Sequence, residues 1–374
     1  MTHIVYLMSD TGGGHRAACR AMQAALEKRY PGQYTGELVD MWKDYMPFPL
    51  YYMPELYPKW VNASPRTYAV QYWLNDRIFH LRAVDRAYQR QMFRHMIRFF
   101  AEHPADVYVC AHSVFVRPGM YALRRAGIQK PFLTVITDYA WPVMVWYDAR
   151  ANKTLVPTQR AYERGLRLGV PAERMINTGP VVHPKFADLT MSKAEARAQL
   201  GWPAKTPVIL LVGGGDGMGP LVEMVRAIDA RPVQAEFAVI AGRNAQMKAA
   251  LDSAQWRHTV RTYGFVDNIE VYMRAADLMV TKAGPATMIE AATVGLPMVI
   301  SGAIPFQETP NVDYMVERGA GVFAPGPANV AAAVERLLGN EGHDLHALAE
   351  GVRKLAEPEA IWRIAAEIHA AAPR

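Results

Sequence analysis

The chain has 374 residues, 51% of them hydrophobic and 20% charged, with a formal net charge of +6 and a pI near 9.2. That length and composition describe an ordinary globular protein, with two domains favoured by length. Two cysteines, Cys19 and Cys110, exclude a disulfide framework, the lack of an 18-residue apolar run excludes a transmembrane helix, and the positive charge favours an acidic partner such as a nucleotide, nucleic acid or anionic lipid surface.

The opening MTHIVYLMSD runs straight into a glycine-rich turn and does not read as a signal peptide. His3–Ser9 predicts a buried parallel strand. Asp10 to His15 (DTGGGH) is a glycine-rich turn, and 16–30 predicts a helix with Ala17, Ala21, Ala24, Ala25 and Leu26 on its apolar side. Strand, glycines and helix open a βαβ unit, and the glycines permit close backbone approach to an anion or sugar. A tight packing turn is the alternative. The dinucleotide fingerprint G-x-G-x-x-G does not fit, because position 17 is Ala.

Residues 37–41 predict a second strand. Residues 41–73 are then dense in Trp, Tyr, Met and Pro, and five prolines before Arg66 argue against a long helix. This stretch suits either a membrane headgroup contact, with Trp60 among its aromatics, or a packed irregular insertion. Helical periodicity returns over 75–100, with Ile78, Leu81, Val84, Tyr88 and Met92 on one face and Arg82, Arg86, Arg90, Arg94 and Arg98 at four-residue spacing on another. Such a run of arginines suits lipid phosphates, or is a solvated face.

Strands are predicted at 105–111, 131–137 and 153–156. Alternation with helices implies a parallel sheet, in which ligands bind outside the strand C-terminal ends. His15, His112 and Asp138 all fall at such ends. Residues 177–186 have linker composition, and a second α/β set begins at 208–212. It carries glycine-rich turns at 213–219, 242–244 and 264–268. Strand 277–280 then meets a turn at 281–285, a helix from 286 or 287, and a closing Gly295-Leu296-Pro297 before strand 298–300. Pro at a helix start and Gly past its end is the expected asymmetry, and the free N–H groups at such a turn suit an anion. The boundaries predicted are 1–180 and 181–359, with a last helix at 360–374 packing back on the first domain.

SDTGGGHRAA near the start and TKAGPATMIEAATVGLPMVISGAIPFQETPNVDYMVERGAG near the end resemble the two signatures of glycosyltransferase family 28. The likeness is to its branch of monogalactosyldiacylglycerol synthases and bacterial diacylglycerol β-glucosyltransferases, and GGGDGMGP, GRN and GFVDN match that branch in order and spacing. The resemblance covers nearly the whole chain. It implies an α/β GT-B fold, two Rossmann-like domains with parallel sheets facing across a cleft, a UDP-sugar co-substrate and inversion at the anomeric carbon. By the same resemblance, Glu290 bonds the ribose, Gly284, Pro285, Ala286 and Thr287 line the diphosphate, and the backbone of Phe265 edges the uracil. Gln307, Glu308 and Asn311 read the sugar. Gly14, Gly214, Gly215, Arg243 and Asn244 complete the donor set. His15 and Asp138 are the catalytic candidates. His112, Trp60, Arg82, Arg86, Arg90 and Arg94 are expected on the acceptor and membrane side.

The family carries a His in a T-D-x4-H-x2-W pattern, and Val143 stands in its place between Asp138 and Trp146. No Asp-x-Asp occurs in the chain, so no metal or other cofactor is expected, and the helix end and amides would receive the leaving diphosphate. The function expected is transfer of galactose or glucose from a UDP-sugar to a membrane lipid hydroxyl, diacylglycerol first, by a peripheral enzyme on the cytoplasmic side of the cell membrane. Another lipid acceptor, UDP-GlcNAc 2-epimerization and non-catalytic nucleotide or lipid binding are the competing readings. A nucleic-acid partner is not expected, since no recognition motif accompanies the arginines.

Overall fold

The computed structural model describes residues 1–10, 13–213 and 219–373, the side chains of residues 57, 58, 62 and 65 excepted. Gly214 and Gly215 lie outside the described residues. The chain divides into two compact units.

The first unit comprises Met1–Pro184, Pro305–Gln307 and Glu359–Arg374. Its strands are β1 (Thr2–Met8), β2 (Tyr34–Asp40), β3 (Val107–Cys110), β4 (Phe132–Val135), β5 (Lys153–Val156) and β6 (Met175–Asn177). They form one parallel sheet in the order β2-β1-β3-β4-β5-β6. β3 and β4 are buried along their whole length, as parallel strands covered on both faces must be, which is why they read as unbroken apolar runs. The helices up to residue 167 are α1 (Gly14–Arg29), α2 (Met41–Tyr45), α3 (Met53–Ala63), α4 (Pro65–Ile78), α5 (Arg82–Glu102), α6 (Ser113–Ala126) and α7 (Gln159–Arg167). The last helix, Ala360–Ala371, packs on α1: the His369 ring stacks on Tyr30 at 4.0 Å, and Arg363 Nε donates to the Thr178 carbonyl at 2.7 Å.

Three local expectations change. The proline-rich stretch is not irregular. Pro54 and Pro65 occupy first-turn positions of α3 and α4, where a missing N–H costs nothing, so they start helices instead of breaking them. The helix expected over 75–100 is interrupted between Ile78 and Arg82. Ile78 and Leu81, expected on a packed face, are exposed, and α5 packs through Met92, Met96, Phe99 and Phe100. On α1 the packed side is Cys19, Ala21, Met22, Ala25 and Leu26, while Ala17 is exposed.

The second unit comprises Lys185–Ile304 and Glu308–Pro358. Its strands are β7 (Val208–Val212), β8 (Glu236–Ile240), β9 (Val260–Tyr263), β10 (Leu278–Thr281), β11 (Met298–Ile300) and β12 (Gly321–Phe323), parallel in the order β12-β11-β10-β7-β8-β9. In each sheet the strand order reverses beside the first strand, between β1 and β3 and between β7 and β10. A crevice opens at the C-terminal ends of such a pair because their connections leave in opposite directions.

Candidate functional site

In the first unit, the switch point brings together residues far apart in sequence. The first turn of α1, which follows β1, carries His15, and the turn after β3 carries Ala111 and His112. His15 Nδ1 lies 2.7 Å from the Ala111 carbonyl oxygen and 3.1 Å from Thr137 Oγ1. A carbonyl only accepts, so Nδ1 bears the hydrogen and the neutral ring keeps its Nε2 lone pair. Burial pushes the His15 pKa down to about 4, with the Ala111 bond opposing. The buried His112 ring lies 4.5 Å from that of His15 and accepts at Nε2 from Trp42 Nε1, 3.2 Å away. Burial, and then the neighbouring His15, hold His112 well below the usual imidazole range.

Asp138 follows β4. Its Oδ2 accepts from Trp146 Nε1 at 2.8 Å, with Tyr72 Oη at a long 3.5 Å, and the backbone N–H of Val143 also donates to the carboxylate. Burial outweighs these bonds and raises the Asp138 pKa to about 6. Val143 is itself buried and apolar. Thus Trp146 fixes the carboxylate, and the residue standing where the family has its His contributes a backbone N–H to Asp138 and no side-chain polar group. Trp42 and Tyr72 carried no sequence signal beyond being aromatic, whereas Trp146 closes the T-D-x4-H-x2-W pattern.

Arg82, Arg86, Arg90 and Arg94 are exposed on α5, and none of the ion pairs among the described residues engages them. Four-residue spacing advances roughly 40° per step around a helix, so the run sweeps across a broad face instead of forming a straight stripe. Arg98, at its end, donates to the Asp44 carbonyl at 2.6 Å and covers the Tyr45 ring, which removes it from the free set. Trp60 donates to Thr67 Oγ1 at 2.8 Å and packs edge-on against Tyr68. The segment Pro305–Gln307 clusters with this unit, where Tyr68 Oη donates to Gln307 Oε1 at 2.9 Å. Its turn includes Phe306 at φ 63, a left-handed conformation that costs a non-glycine residue about 1 kcal/mol.

In the second unit, helix Pro285–Thr293 follows β10 directly, with Gly284 as N-cap, Pro285 at its first position and no side-chain cap. Met288 N–H already bonds the Gly284 carbonyl. The N–H groups of Ala286 and Thr287 precede the first turn's closure and remain available to an anion. A Cβ on Gly284 would lie 3.7 Å from Lys282 Nζ, so that ammonium flanks the same turn. Lys282 also pairs at 3.0 Å with Glu308 Oε1, and Glu308 Oε2 accepts from Ile304 N–H at 2.9 Å, which makes Glu308 a buried, oriented carboxylate. Lys282 was missed in the sequence, although a cation beside a helix N-terminus is a legible signal for a phosphate. Asn311 is buried with Nδ2 3.4 Å from the Ala283 carbonyl.

Glu290 lies one turn further along that helix. Burial raises its pKa to about 7, Lys185 opposing and Glu270 adding to the rise. Lys185 is held by Glu270 at 2.7 Å and the Asp267 carbonyl at 2.6 Å. Asn244 caps the helix Ala245–Ser253 by accepting from Met247 N–H at 2.9 Å, and the Arg243 guanidinium lies 5.4 Å from the centre of the exposed Phe265 ring. Gly14 is the first residue of α1, in the first unit, so of the predicted donor residues it and Gln307 fall there and the other described ones in the second.

Residues 15–182 match the model of monogalactosyldiacylglycerol (MGDG) synthase, and residues 208–323 that of the glycosyltransferase family 28 C-terminal domain. A probable chloroplastic monogalactosyldiacylglycerol synthase of Glycine max is 32% identical over 98% of this chain and 71% of its own length. The chloroplastic monogalactosyldiacylglycerol synthase 1 of Arabidopsis thaliana is 30% identical over 98% of this chain and 70% of its own length. Among solved structures, Acinetobacter baumannii MurG superposes with a TM-score of 0.62 at 16% identity, covering 99% of this chain and 100% of its own. Staphylococcus aureus MnaA with UDP gives 0.62 at 14%, over 97% and 95%. The last two likenesses speak to the GT-B fold alone. The chain belongs to the monogalactosyldiacylglycerol synthase family, within glycosyltransferase family 28, and is a UDP-sugar-dependent hexosyltransferase.

Proposed function

We propose that this enzyme transfers a hexose from a UDP-sugar to the free hydroxyl of 1,2-diacylglycerol with inversion, giving a β-glycolipid, while docked peripherally on an anionic membrane from its cytoplasmic side. The relatives' names support diacylglycerol as acceptor and galactose over glucose as the sugar. The observation that carries the chemistry is the His15 imidazole, whose Nδ1–H is spent on the Ala111 carbonyl and whose Nε2 is left as a base at the switch point.

In this reading His15 Nε2 takes the acceptor hydroxyl proton as the oxygen attacks the anomeric carbon. The bond from that carbon to the UDP oxygen breaks, and the charge grows on the diphosphate. The N–H groups of Ala286 and Thr287, the helix end and the Lys282 ammonium receive it. Glu290, once ionised, accepts from the two ribose hydroxyls. Gln307, Glu308 and Asn311 read the hexose. Asp138 lies on the acceptor side, oriented by Trp146, and is the second candidate base.

The membrane part rests on charge and exposure. Arg82, Arg86, Arg90 and Arg94 carry no carboxylate partner among the described residues, and apolar side chains of α3 and α4 stand exposed before them in sequence. No helix among the described residues is long and apolar enough to cross a membrane. Incubation of the purified protein with UDP-galactose or UDP-glucose and diacylglycerol vesicles tests the proposal. A β-hexosyl diacylglycerol is expected. An altered sugar released without acceptor indicates epimerization and overturns it, as does UDP binding without turnover.

A further inference from the structure

Trp42 stands near the start of α2, and the residue before that helix sets its place. Asp40, the last residue of β2, caps α2: its Oδ1 accepts from the backbone N–H groups of Trp42 at 3.1 Å and Lys43 at 3.2 Å. The Trp42 ring then packs edge-on against the fully buried Phe115, with ring centres 6.0 Å apart, and edge-on against His112 at 6.1 Å. Its indole N–H points to His112 Nε2 at 3.2 Å. An indole N–H only donates, so His112 Nε2 carries its lone pair and the hydrogen of the neutral ring lies on Nδ1. A hydroxyl or a water in the same place both donates and accepts, and would not select a protonation state.

His112 in turn flanks His15, with ring centres 4.5 Å apart and planes inclined by 45°. The titratable groups around the pair come from four elements. β3 ends in the Cys110 thiol, which donates to the His112 carbonyl at 3.3 Å and which burial pushes up to about 12, so it stays neutral. From α5, Tyr88 Oη donates to the Val114 carbonyl at 3.0 Å, and burial keeps that phenol neutral too. On α1, Arg16 is engaged by Asp10. On the other side of His15 the Trp146 ring lies at 6.4 Å and gives its N–H to Asp138, beyond which Asp76 is paired with Arg164 at 2.7 Å. His112 is thus the neighbour whose charge state bears most closely on His15.

We propose that Trp42 is a positioning residue for the base of the reaction: its indole N–H holds His112 neutral and oriented against His15, which leaves His15 Nε2 as the nitrogen of the pair that takes the acceptor proton. The inference rests on the glycolipid-forming reading above, with His15 as base, and adds to it the group that keeps the neighbouring ring uncharged. On taking the acceptor hydroxyl proton, His15 becomes an imidazolium in the first turn of α1, at the positive end of the helix, where a cation is already disfavoured. A second imidazolium with its ring centre 4.5 Å away would oppose that charge further. Trp42 prevents this, because the His112 lone pair that would bind the second proton is engaged by the indole. Without the indole, falling pH protonates His112 and turnover falls with it.

The test uses the full chain with UDP-galactose or UDP-glucose and diacylglycerol vesicles, and reads kcat/KM for the acceptor from about pH 4 to pH 9. Trp42→Phe keeps an aromatic ring in place and removes the donor. Its acid limb is expected to move up from the wild-type position by about one to two pH units, toward the ordinary imidazole value of about 6.5. UDP binding is expected to stay as in wild type, and turnover at pH 8 to fall by about fivefold at most. Adding His112→Gln removes the group that titrates and is expected to return the limb to the wild-type position. A Trp42→Phe enzyme slowed equally at every pH overturns the proposal, since loss of packing alone moves no limb, and so does a double variant whose limb stays high. Should Trp42→Phe not fold, nitrogen-15 spectra of the wild-type histidine rings decide: His112 is expected neutral, with Nδ1 protonated, from about pH 5 to pH 8, and a His112 ring that titrates within that range overturns the proposal. An inactive wild type overturns instead the reading on which the proposal rests, while the same spectra still test the bond from Trp42 to His112, so the two failures are told apart.

Discussion

His15 Nδ1 sits 2.7 Å from the carbonyl oxygen of Ala111, and that bond decides which nitrogen of the ring is left for chemistry. With the tautomer fixed by the turn after β3, Nε2 is a lone-pair base from about pH 4 upward. His15→Ala is expected to lower kcat about a thousandfold, within the range for loss of a general base. UDP affinity is expected to change little. Steady-state kinetics alongside calorimetric UDP binding check both.

The pH profile separates the two candidate bases. The His15 pKa is lowered to about 4 by burial and that of Asp138 raised to about 6. At saturating donor, the acid limb of kcat/KM for the acceptor is expected to fall near pH 4 for His15. A limb near pH 6 that Asp138→Asn removes would assign the base to Asp138 instead.

Glu290 gives a donor-side pH dependence with the opposite consequence for stability and binding. Its pKa in the fold is raised from 4.5 to about 7, so the fold favours the protonated acid. That stabilisation is fully present below pH 4.5 and is lost as pH rises through 7. The carboxylate needed by the ribose hydroxyls appears over the same window, so UDP affinity is expected to strengthen from pH 6 to 8. Glu290→Gln is expected to flatten both trends and to weaken UDP about tenfold at pH 8, from loss of a charged hydrogen bond. Thermal melting with and without UDP across that range reads both.

Lys282 and Glu308 form a pair whose two members have separate tasks. Lys282→Met is expected to lower kcat about a hundredfold, the scale of one lost oxyanion donor. It also leaves the buried Glu308 carboxylate without its cation, at a cost of about 2 kcal/mol in stability. Adding Glu308→Gln is expected to recover most of the melting temperature and none of the activity.

Reversal of the α5 arginines addresses docking. Arg82→Glu/Arg86→Glu/Arg90→Glu/Arg94→Glu is expected to lower binding to phosphatidylglycerol vesicles more than tenfold, since each cation near such a surface contributes about 1 kcal/mol. Binding by wild type should weaken with salt. Flotation at two ionic strengths measures both.

The sheets, the turn 281–285 and the helix after it were legible because parallel strands are continuous apolar runs and Pro and Gly mark helix ends. His15, His112 and Asp138 were legible as polar residues at strand ends. What the sequence hid is what folding brings from a distance. Asp76 and Arg164 are 88 positions apart, and nothing in either neighbourhood announces the bond. The proline-rich stretch misled because proline is costly in a helix interior but favoured in its first turn, and only the boundaries tell these apart. Ile78 and Leu81 fit a helical period that continued through a break, so their exposure was unforeseen. Lys282 was within reach of sequence reasoning, yet the cation was passed over in favour of the glycine and proline beside it.

The central claim is glycolipid formation. Purified protein, UDP-galactose or UDP-glucose and diacylglycerol in phosphatidylglycerol vesicles should yield a β-monohexosyl diacylglycerol, identified by mass and anomeric proton coupling, with release of UDP in equal amount. Absence of any glycolipid with either donor, from protein that binds UDP, would contradict the account.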